Sequence, residues 1–212
     1  MWKFLREYIK TPDTIGAVAP SSRHLAAAMT AWIDFDKAKC IVEYGAGTGI
    51  FTREVCKKKR PGTVYIVIEQ NDRFYSMLQK QFHEVPGVVL IHGDAGNVCR
   101  FLKKQGFSHA DHIISGLPFT SLPEPVSSRI LSQTQKAIGA KGVFTAFQYT
   151  LLRRQFLEEY FNIRKIVRIW RNLPPANVLN MKLKCSKADI NVTRNGPQDA
   201  NSNNINCCRE GI

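Results

Sequence analysis

Between residues 40 and 150, short β-branched apolar runs alternate with segments whose apolar positions recur at helical spacing. The runs Cys40 to Glu43, Val64 to Glu69, Val88 to His92, His112 to Ser115 and Val143 to Tyr149 are the predicted strands. They are apolar on both faces, and strands that meet water on neither face belong in a parallel sheet covered by helices on both sides. After a predicted helix from Leu152 to Phe161 the pattern changes. Arg164 to Trp170 and Val178 to Lys184 read as two strands joined by Asn172-Leu173-Pro174-Pro175-Ala176. So short and Pro-rich a connector predicts an antiparallel pair at one edge of the sheet. The expected fold is α/β: a mostly parallel seven-stranded sheet, helices on both faces, and an antiparallel edge hairpin.

The two ends of the chain follow other patterns. On a wheel of 3.6 residues per turn, Met1, Trp2, Phe4, Leu5, Tyr8 and Ile9 fall within an arc of about 160°, with Lys3, Arg6, Glu7 and Lys10 opposite. Trp and Tyr beside basic residues suit a helix lying in a lipid headgroup layer. The plainer alternative is a terminal helix packed on the domain. From Cys185 to Ile212 the chain is rich in Asn and poor in aliphatic residues, the composition of a polar, flexible tail. The expected organisation is an amphipathic helix and helical cap over 1–33, one α/β domain over 34–184, and the tail over 185–212.

Charge narrows the partners. The 212 residues carry 30 Lys and Arg against 17 acids, a net +13. In the tail Lys187, Arg194 and Arg209 cancel Asp189, Asp199 and Glu210, so the excess lies in the rest of the chain. A polyanion is implied, either an anionic membrane surface or nucleic acid. No apolar run reaches the roughly 18 residues that cross a bilayer, and Lys3, Arg6 and Glu7 interrupt the N-terminal stretch that a secretory signal would need. A cytoplasmic protein is expected. Cys40, Cys56, Cys99, Cys185, Cys207 and Cys208 form no C-x-x-C pair, so reduced packing thiols are expected, with neither a metal site nor a disulfide framework.

Candidate chemistry begins at Glu43-Tyr44-Gly45-Ala46-Gly47-Thr48-Gly49, which follows the first strand and opens a helix. Glycines let a backbone turn sharply and approach a ligand without a Cβ. The spacing departs from the dinucleotide G-x-G-x-x-G, and Glu43 repels a pyrophosphate while suiting an ammonium. The loop therefore favours S-adenosylmethionine, whose demethylated product is S-adenosylhomocysteine. Glu69 ends the second strand about 20 residues on, where a carboxylate can accept both ribose hydroxyls. Asp94 ends the third and is a candidate acceptor for the adenine amino group, although Asp is also a common turn residue. Ser115-Gly116-Leu117-Pro118-Phe119 ends the fourth strand at the carboxyl edge, where open α/β sheets place their chemistry. There a main-chain carbonyl of Ser115 or Gly116 can align a substrate amine with the ligand's methyl group, and Phe119 offers a flat apolar wall.

These residues resemble Rossmann-like class I S-adenosylmethionine-dependent methyltransferases, and among them the bacterial phospholipid N-methyltransferases that convert phosphatidylethanolamine toward phosphatidylcholine. The likeness spans roughly residues 1 to 180. It includes Gly16-Ala17-Val18-Ala19-Pro20-Ser21-Ser22, the Ser115 turn, Gln148-Tyr149-Thr150 and Asn172-Leu173-Pro174-Pro175-Ala176. It implies that Glu43, Gly45, Gly47, Glu69, Asp94 and Ala95 line the cofactor pocket, with Ala46, Gly49 and Gln70 beside them, and that the Ser115 turn faces the amine. A noncatalytic cofactor- and membrane-binding homologue is one alternative, and an RNA adenine N6-methyltransferase, of the related ribosomal RNA adenine dimethylases, is the other. Their turn opens with Asn, whose planar amide reads an adenine edge, whereas Ser115 cannot both donate and accept in that plane.

The expected partner is thus an amino phospholipid on an anionic membrane, met by an enzyme peripheral on the inner face, with RNA as the weaker alternative and no obligate protein partner evident. Trp2, Phe4, Leu5, Tyr8 and Ile9 are the candidate membrane anchor, and Leu117, Pro118 and Phe119 the candidate substrate wall. Arg23, Arg153 and Arg154 are candidates to pair with lipid phosphate. Tyr149, and behind it His24, is a candidate to guide the amine proton. Phe119, Tyr149 and Trp170 are candidates to hold a methylated ammonium, each with core packing as the alternative. Lys57-Lys58-Lys59-Arg60 reads as the solvated end of a helix.

Overall fold

The computed structural model describes residues 20–119 and 121–184. The proposed anchor at residues 1–10 and the polar tail lie outside the described residues. In chain order the elements are α1 Pro20–Thr30, β1 Cys40–Tyr44, α2 Ile50–Lys58, β2 Val64–Glu69, α3 Asp72–Phe82, β3 Val88–His92, a 3-10 turn Ala95–Asn97, α4 Val98–Lys104, β4 Ala110–Ser115, α5 Glu124–Ala137, β5 Ile138–Gln148, α6 Arg154–Tyr160, β6 Phe161–Ile169 and β7 Ala176–Leu183.

One seven-stranded sheet runs in the order β3-β2-β1-β4-β5-β7-β6. The first five strands pair in parallel, and β7 pairs antiparallel with both β5 and β6. This is the expected α/β architecture with its antiparallel pair at the edge. Side-chain alternation sets the two layers. Cys40, Val42 and Tyr44 of β1 point into a core shared with α4, α5 and α6, through residues such as Val98, Leu102, Leu131 and Leu157. Ile41 joins the opposite core with Leu25, Ala26 and Met29 of α1, Val55 of α2 and Leu78 of α3. α1 is therefore a packed layer of the domain.

Several boundaries shift by one or two residues, and two strand starts shift further. β5 begins at Ile138, five residues before Val143, because the chain passes straight from α5 into the strand through a register shift between Ala110 and His112. Gly139 and Gly142 give the bulged strand close passage; a Cβ at Gly142 would lie 2.6 Å from Ile138 Cγ1. β6 begins at Phe161, immediately after α6 and three residues before Arg164.

All five parallel strands end at one edge of the sheet, as expected for the site. β7 starts there too, with Asn177 opposite Gln148 and Ala176 opposite Ile169. α1 and α2 each precede a parallel strand, so they run from this edge back to the opposite one. The Lys57 to Arg60 run thus lies at the far edge, where Lys58 pairs with Glu54, Lys59 donates to the Pro86 carbonyl and Arg60 pairs with Asp36.

Candidate functional site at the carboxyl edge

The loop after β1 is built for close approach. Gly45, Gly47 and Gly49 have φ of 61°, 56° and 80°, in the left-handed region that costs other residues most. A Cβ at Gly45 would lie 2.7 Å from Leu117 Cδ2, and one at Gly49 2.7 Å from Phe82, whereas around Gly47 nothing lies within 4 Å. Gly45 and Gly49 are thus packed, while Gly47 forms the open part of the cradle. α2 starts at Gly49 without a side-chain cap, so the first-turn amides are not claimed by a capping group.

Glu69 closes this loop. One carboxylate oxygen accepts from the Gly47 amide at 2.8 Å and the other from the Asn71 amide at 2.9 Å. At 7% exposure the carboxylate is mostly shielded, which strengthens both bonds. It thus holds the loop in place at the strand end where a ribose acceptor was expected. Gln70 is exposed, and its carbonyl lies 3.0 Å from His92 Nε2, while Ala46 and Ala95 are buried at the two loops.

Glu43 lies fully buried beneath the loop. Its Oε2 accepts from Thr52 Oγ1 at 2.8 Å and from the Tyr65 hydroxyl, while Oε1 has no partner among the described residues. Burial pushes its pKa up to about 7, against the hydrogen bonds from Tyr65 and Thr52 and with some help from the Glu69 charge. Thr52 and Tyr65 went unnoticed in the sequence. Their signal was the shared face, since a residue in the first turn of α2 and the second residue of β2 both point into the same layer as Glu43.

Asp94 is engaged more heavily than expected. Its Oδ1 accepts from the Gly96 amide at 2.7 Å, and its Oδ2 pairs with Arg129 of α5 at 2.5 Å. Burial alone would raise its pKa, but Arg129 and the Gly96 amide outweigh it and hold the carboxyl below its ordinary value. An added Cβ at Gly96 would meet the Arg129 guanidinium, which would have to move aside. Arg129 was invisible in sequence because its place depends on how α5 packs on the turn after β3.

The Ser115 turn is joined to the glycine loop by backbone. The Gly116 amide donates to the Tyr44 carbonyl at 2.8 Å, and a Cβ on Gly116 would stand 2.5 Å from the Gly45 carbonyl oxygen. Ser115 is buried, with its Oγ accepting from the Leu117 amide at 3.1 Å, so the side chain shapes the turn. Leu117 and Pro118 are partly exposed. Tyr149, half-buried just past β5, meets Phe147 edge-on at 5.5 Å, and Arg23 and His24 are exposed near the start of α1.

Three expectations need correction. Phe119 is 1% exposed and packs edge-on against Phe144, so its ring is core and not a pocket wall. Trp170 sits on the β6–β7 connection, three strands from the Ser115 turn, or about 14 Å at the usual strand spacing, beyond the range of a shared ammonium cage. Its ring instead carries the Arg168 guanidinium at 4.3 Å. Arg153 pairs with Glu124 at 2.7 Å and Arg154 with Glu158 at 2.8 Å, so neither is an uncommitted cation. Among the described residues no three His, Cys, Asp or Glu side chains gather as a metal site, and no helix is long and apolar enough to cross a membrane.

The orphaned Glu43 oxygen, the open Gly47 cradle and the Glu69 carboxylate fit a nucleoside that carries an ammonium group. No family model matches the chain. An ornithine lipid N-methyltransferase from Singulisphaera acidiphila is 28% identical over 174 residues, covering 82% of this chain and 91% of that one. The fold is similar to 1,6-didemethyltoxoflavin-N1-methyltransferase from Burkholderia thailandensis, solved with bound S-adenosylhomocysteine, at TM-score 0.61, 13% identity and 87% of each chain. TrmN from Thermus thermophilus gives TM-score 0.61 at 15% identity over 76% of this chain, which spans 48% of TrmN. With the cradle at the expected strand end and a relative matched along most of both chains, this protein is an S-adenosylmethionine-dependent methyltransferase, similar in sequence to a lipid N-methyltransferase and in fold to solved methyltransferases.

Proposed function

We propose that the chain methylates the amino headgroup of a membrane lipid, with phosphatidylethanolamine and its partly methylated derivatives as the first candidates and an ornithine headgroup as the second. The observation that carries this reading is the join between the two loops. The Gly116 amide on the Tyr44 carbonyl fixes the candidate amine turn directly beside the donor cradle. The lipid class is supported by the ornithine lipid relative, and an ethanolamine and an ornithine headgroup each offer an alkylamine to a methyl donor.

S-adenosylmethionine supplies an electrophilic methyl group open to in-line attack by a neutral amine. The chain's own task is positioning and desolvation. Glu69 and the Gly47 amide hold the cradle, Glu43 favours a cation above it, and the carbonyls of the Ser115–Gly116 turn orient the amine. An alkylamine with a pKa of about 10.4 is neutral in only on the order of one molecule in a thousand at pH 7. A carbonyl that accepts from N–H directs the lone pair toward the methyl group, and Tyr149 at the same edge guides the departing proton. Arg23, exposed near the start of α1, meets the lipid phosphate.

The enzyme works at the inner face of an anionic membrane, with residues 1–10 as an anchor. Radiolabelled donor offered to phosphatidylethanolamine vesicles, ornithine lipid vesicles and RNA tests the substrate. Label is expected in an aminolipid extract; label confined to RNA would overturn the reading. Removing residues 1–10 is expected to weaken vesicle co-sedimentation, and unchanged binding would reject the anchor.

A further inference from the structure

The described residues expose few large hydrophobic side chains, and those few share one edge. Leu152 is 90% exposed, Leu173 87%, Trp170 72% and Leu151 37%. The register places them together: Gln148 pairs with Asn177 and Ile169 with Ala176, so residues 149–153 and 170–175 both leave the sheet at the end where the donor cradle lies. The hairpin tip is pinned. Asn172 is buried, and its Nδ2 donates to the Pro174 carbonyl at 2.7 Å, which leaves Trp170 and Leu173 directed at solvent on either side.

The charge on this hairpin has one sign. From residue 161 to 184 the chain carries no Asp or Glu; Arg168 and Arg171 flank Trp170 at the tip, Arg164 and Lys165 lie farther down β6, and Lys182 and Lys184 lie at the opposite end of the pair. Charged residues on β6 also serve to keep an edge strand from pairing with another chain. That role explains the lysines and arginines but not an exposed Trp and Leu at the tip beyond them, since an edge strand gains nothing from apolar residues past its end.

We propose that the β6–β7 tip, with Leu151 and Leu152 beside it, is a shallow insertion surface for an anionic phospholipid bilayer. Trp170, capped on one face by Arg168, suits the headgroup level, while Leu173 and Leu152 reach the upper acyl region. Arg168 and Arg171 beside the tip meet the negative surface potential. Separate apolar tips beside Arg168 and Arg171 match a lipid layer better than a folded protein partner, which needs a continuous patch, or RNA, whose phosphates give leucines nothing to bind. The surface faces the candidate amine turn toward the lipid, so its purpose rests on the lipid-amine reading, while its existence is testable by itself.

The test uses the full chain with Trp2→Phe and Trp32→Phe, leaving Trp170 as the reporter, and a second form that adds Leu152→Asp and Leu173→Asp. Each is mixed with phosphatidylglycerol-containing vesicles, vesicles of phosphatidylcholine alone, or RNA, and S-adenosylhomocysteine heat is measured on both forms. The reporter form is expected to co-sediment with the anionic vesicles, with Trp170 emission shifted to the blue and quenched by brominated acyl chains. The aspartate form is expected to bind at least tenfold more weakly while giving the same nucleoside heat. Equal vesicle binding by both forms, unquenched Trp170 on vesicle-bound protein, or RNA bound in place of vesicles overturns the surface. Vesicle insertion as expected without nucleoside heat in either form upholds the surface and sinks the methyltransfer reading instead.

Discussion

Glu43 joins three elements beneath the donor loop, because Thr52 of α2 and Tyr65 of β2 both donate to one of its oxygens. Its pKa is raised from 4.5 to about 7, so the neutral form's contribution to stability is complete below 4.5 and lost as pH rises through 7. A bound ammonium favours the ionised form, which gives donor binding the opposite trend. Affinity is expected to rise about tenfold between pH 6 and 8, following the ionised fraction of one group with pKa near 7. Glu43→Gln should flatten that rise in calorimetry; an unchanged slope would mean that another group titrates. At Gly116 the constraint is steric, since a Cβ would stand 2.5 Å from the Gly45 carbonyl oxygen. Gly116→Ala is expected to push the two loops apart, costing about 1–3 kcal/mol of stability and at least tenfold in kcat/KM. Wild-type activity in this variant would show that the two loops work independently. The places of the glycines, Glu43, Glu69 and Ser115 at the carboxyl edge were legible because residue type and spacing mark the strand ends and the turns. Phe119 was misread because sequence shows that a ring follows the turn but not which way it points.

At the scale of elements, β-branched runs showed where the parallel strands lie, since burial on both faces leaves little room for polar residues. Boundaries were less legible where helix passes directly into strand, at Ile138 and at Phe161. In sequence neither junction is separated by a loop, since Ile138 follows Ala137 and Phe161 follows Tyr160 directly from helix to strand. Arg129 escaped notice because an exposed helical Arg looks like any other until its helix is docked. α3 offers a local check, because Asn71 caps it by accepting from the Phe74 amide at 3.1 Å, and the Asn71 amide itself donates to Glu69. Asn71→Ala removes the side-chain cap and keeps the amide. It is expected to cost about 1 kcal/mol, or roughly 2–4 °C in Tm, with donor affinity within about threefold of wild type. A larger loss of donor affinity would mean that the start of α3 is part of the cradle's support.

Across the whole molecule, charge and apolar exposure are distributed unevenly between the two edges of the sheet. Much of the basic run at the amino edge is spent on Glu54, Asp36 and the Pro86 carbonyl. The β6–β7 hairpin instead carries cations without an acid of its own, and it ends in Trp170 and Leu173 beside the carboxyl edge. Composition revealed the net charge, but only the strand order β5-β7-β6 shows that the basic hairpin and the donor cradle open at the same edge. Vesicle binding is therefore expected to weaken as ionic strength rises, and to keep a residual apolar part that salt does not remove. All of this depends on the loop of Gly45 to Gly49 being a nucleoside site held by Glu69. Calorimetry with S-adenosylhomocysteine on the folded full chain and on Glu69→Ala tests that most directly. One molecule should bind per wild-type chain, and the variant should bind at least tenfold more weakly, since a hydrogen bond to a charged group contributes about 1.5–3 kcal/mol. No heat with the wild-type protein, or equal affinity in the variant, would contradict the account.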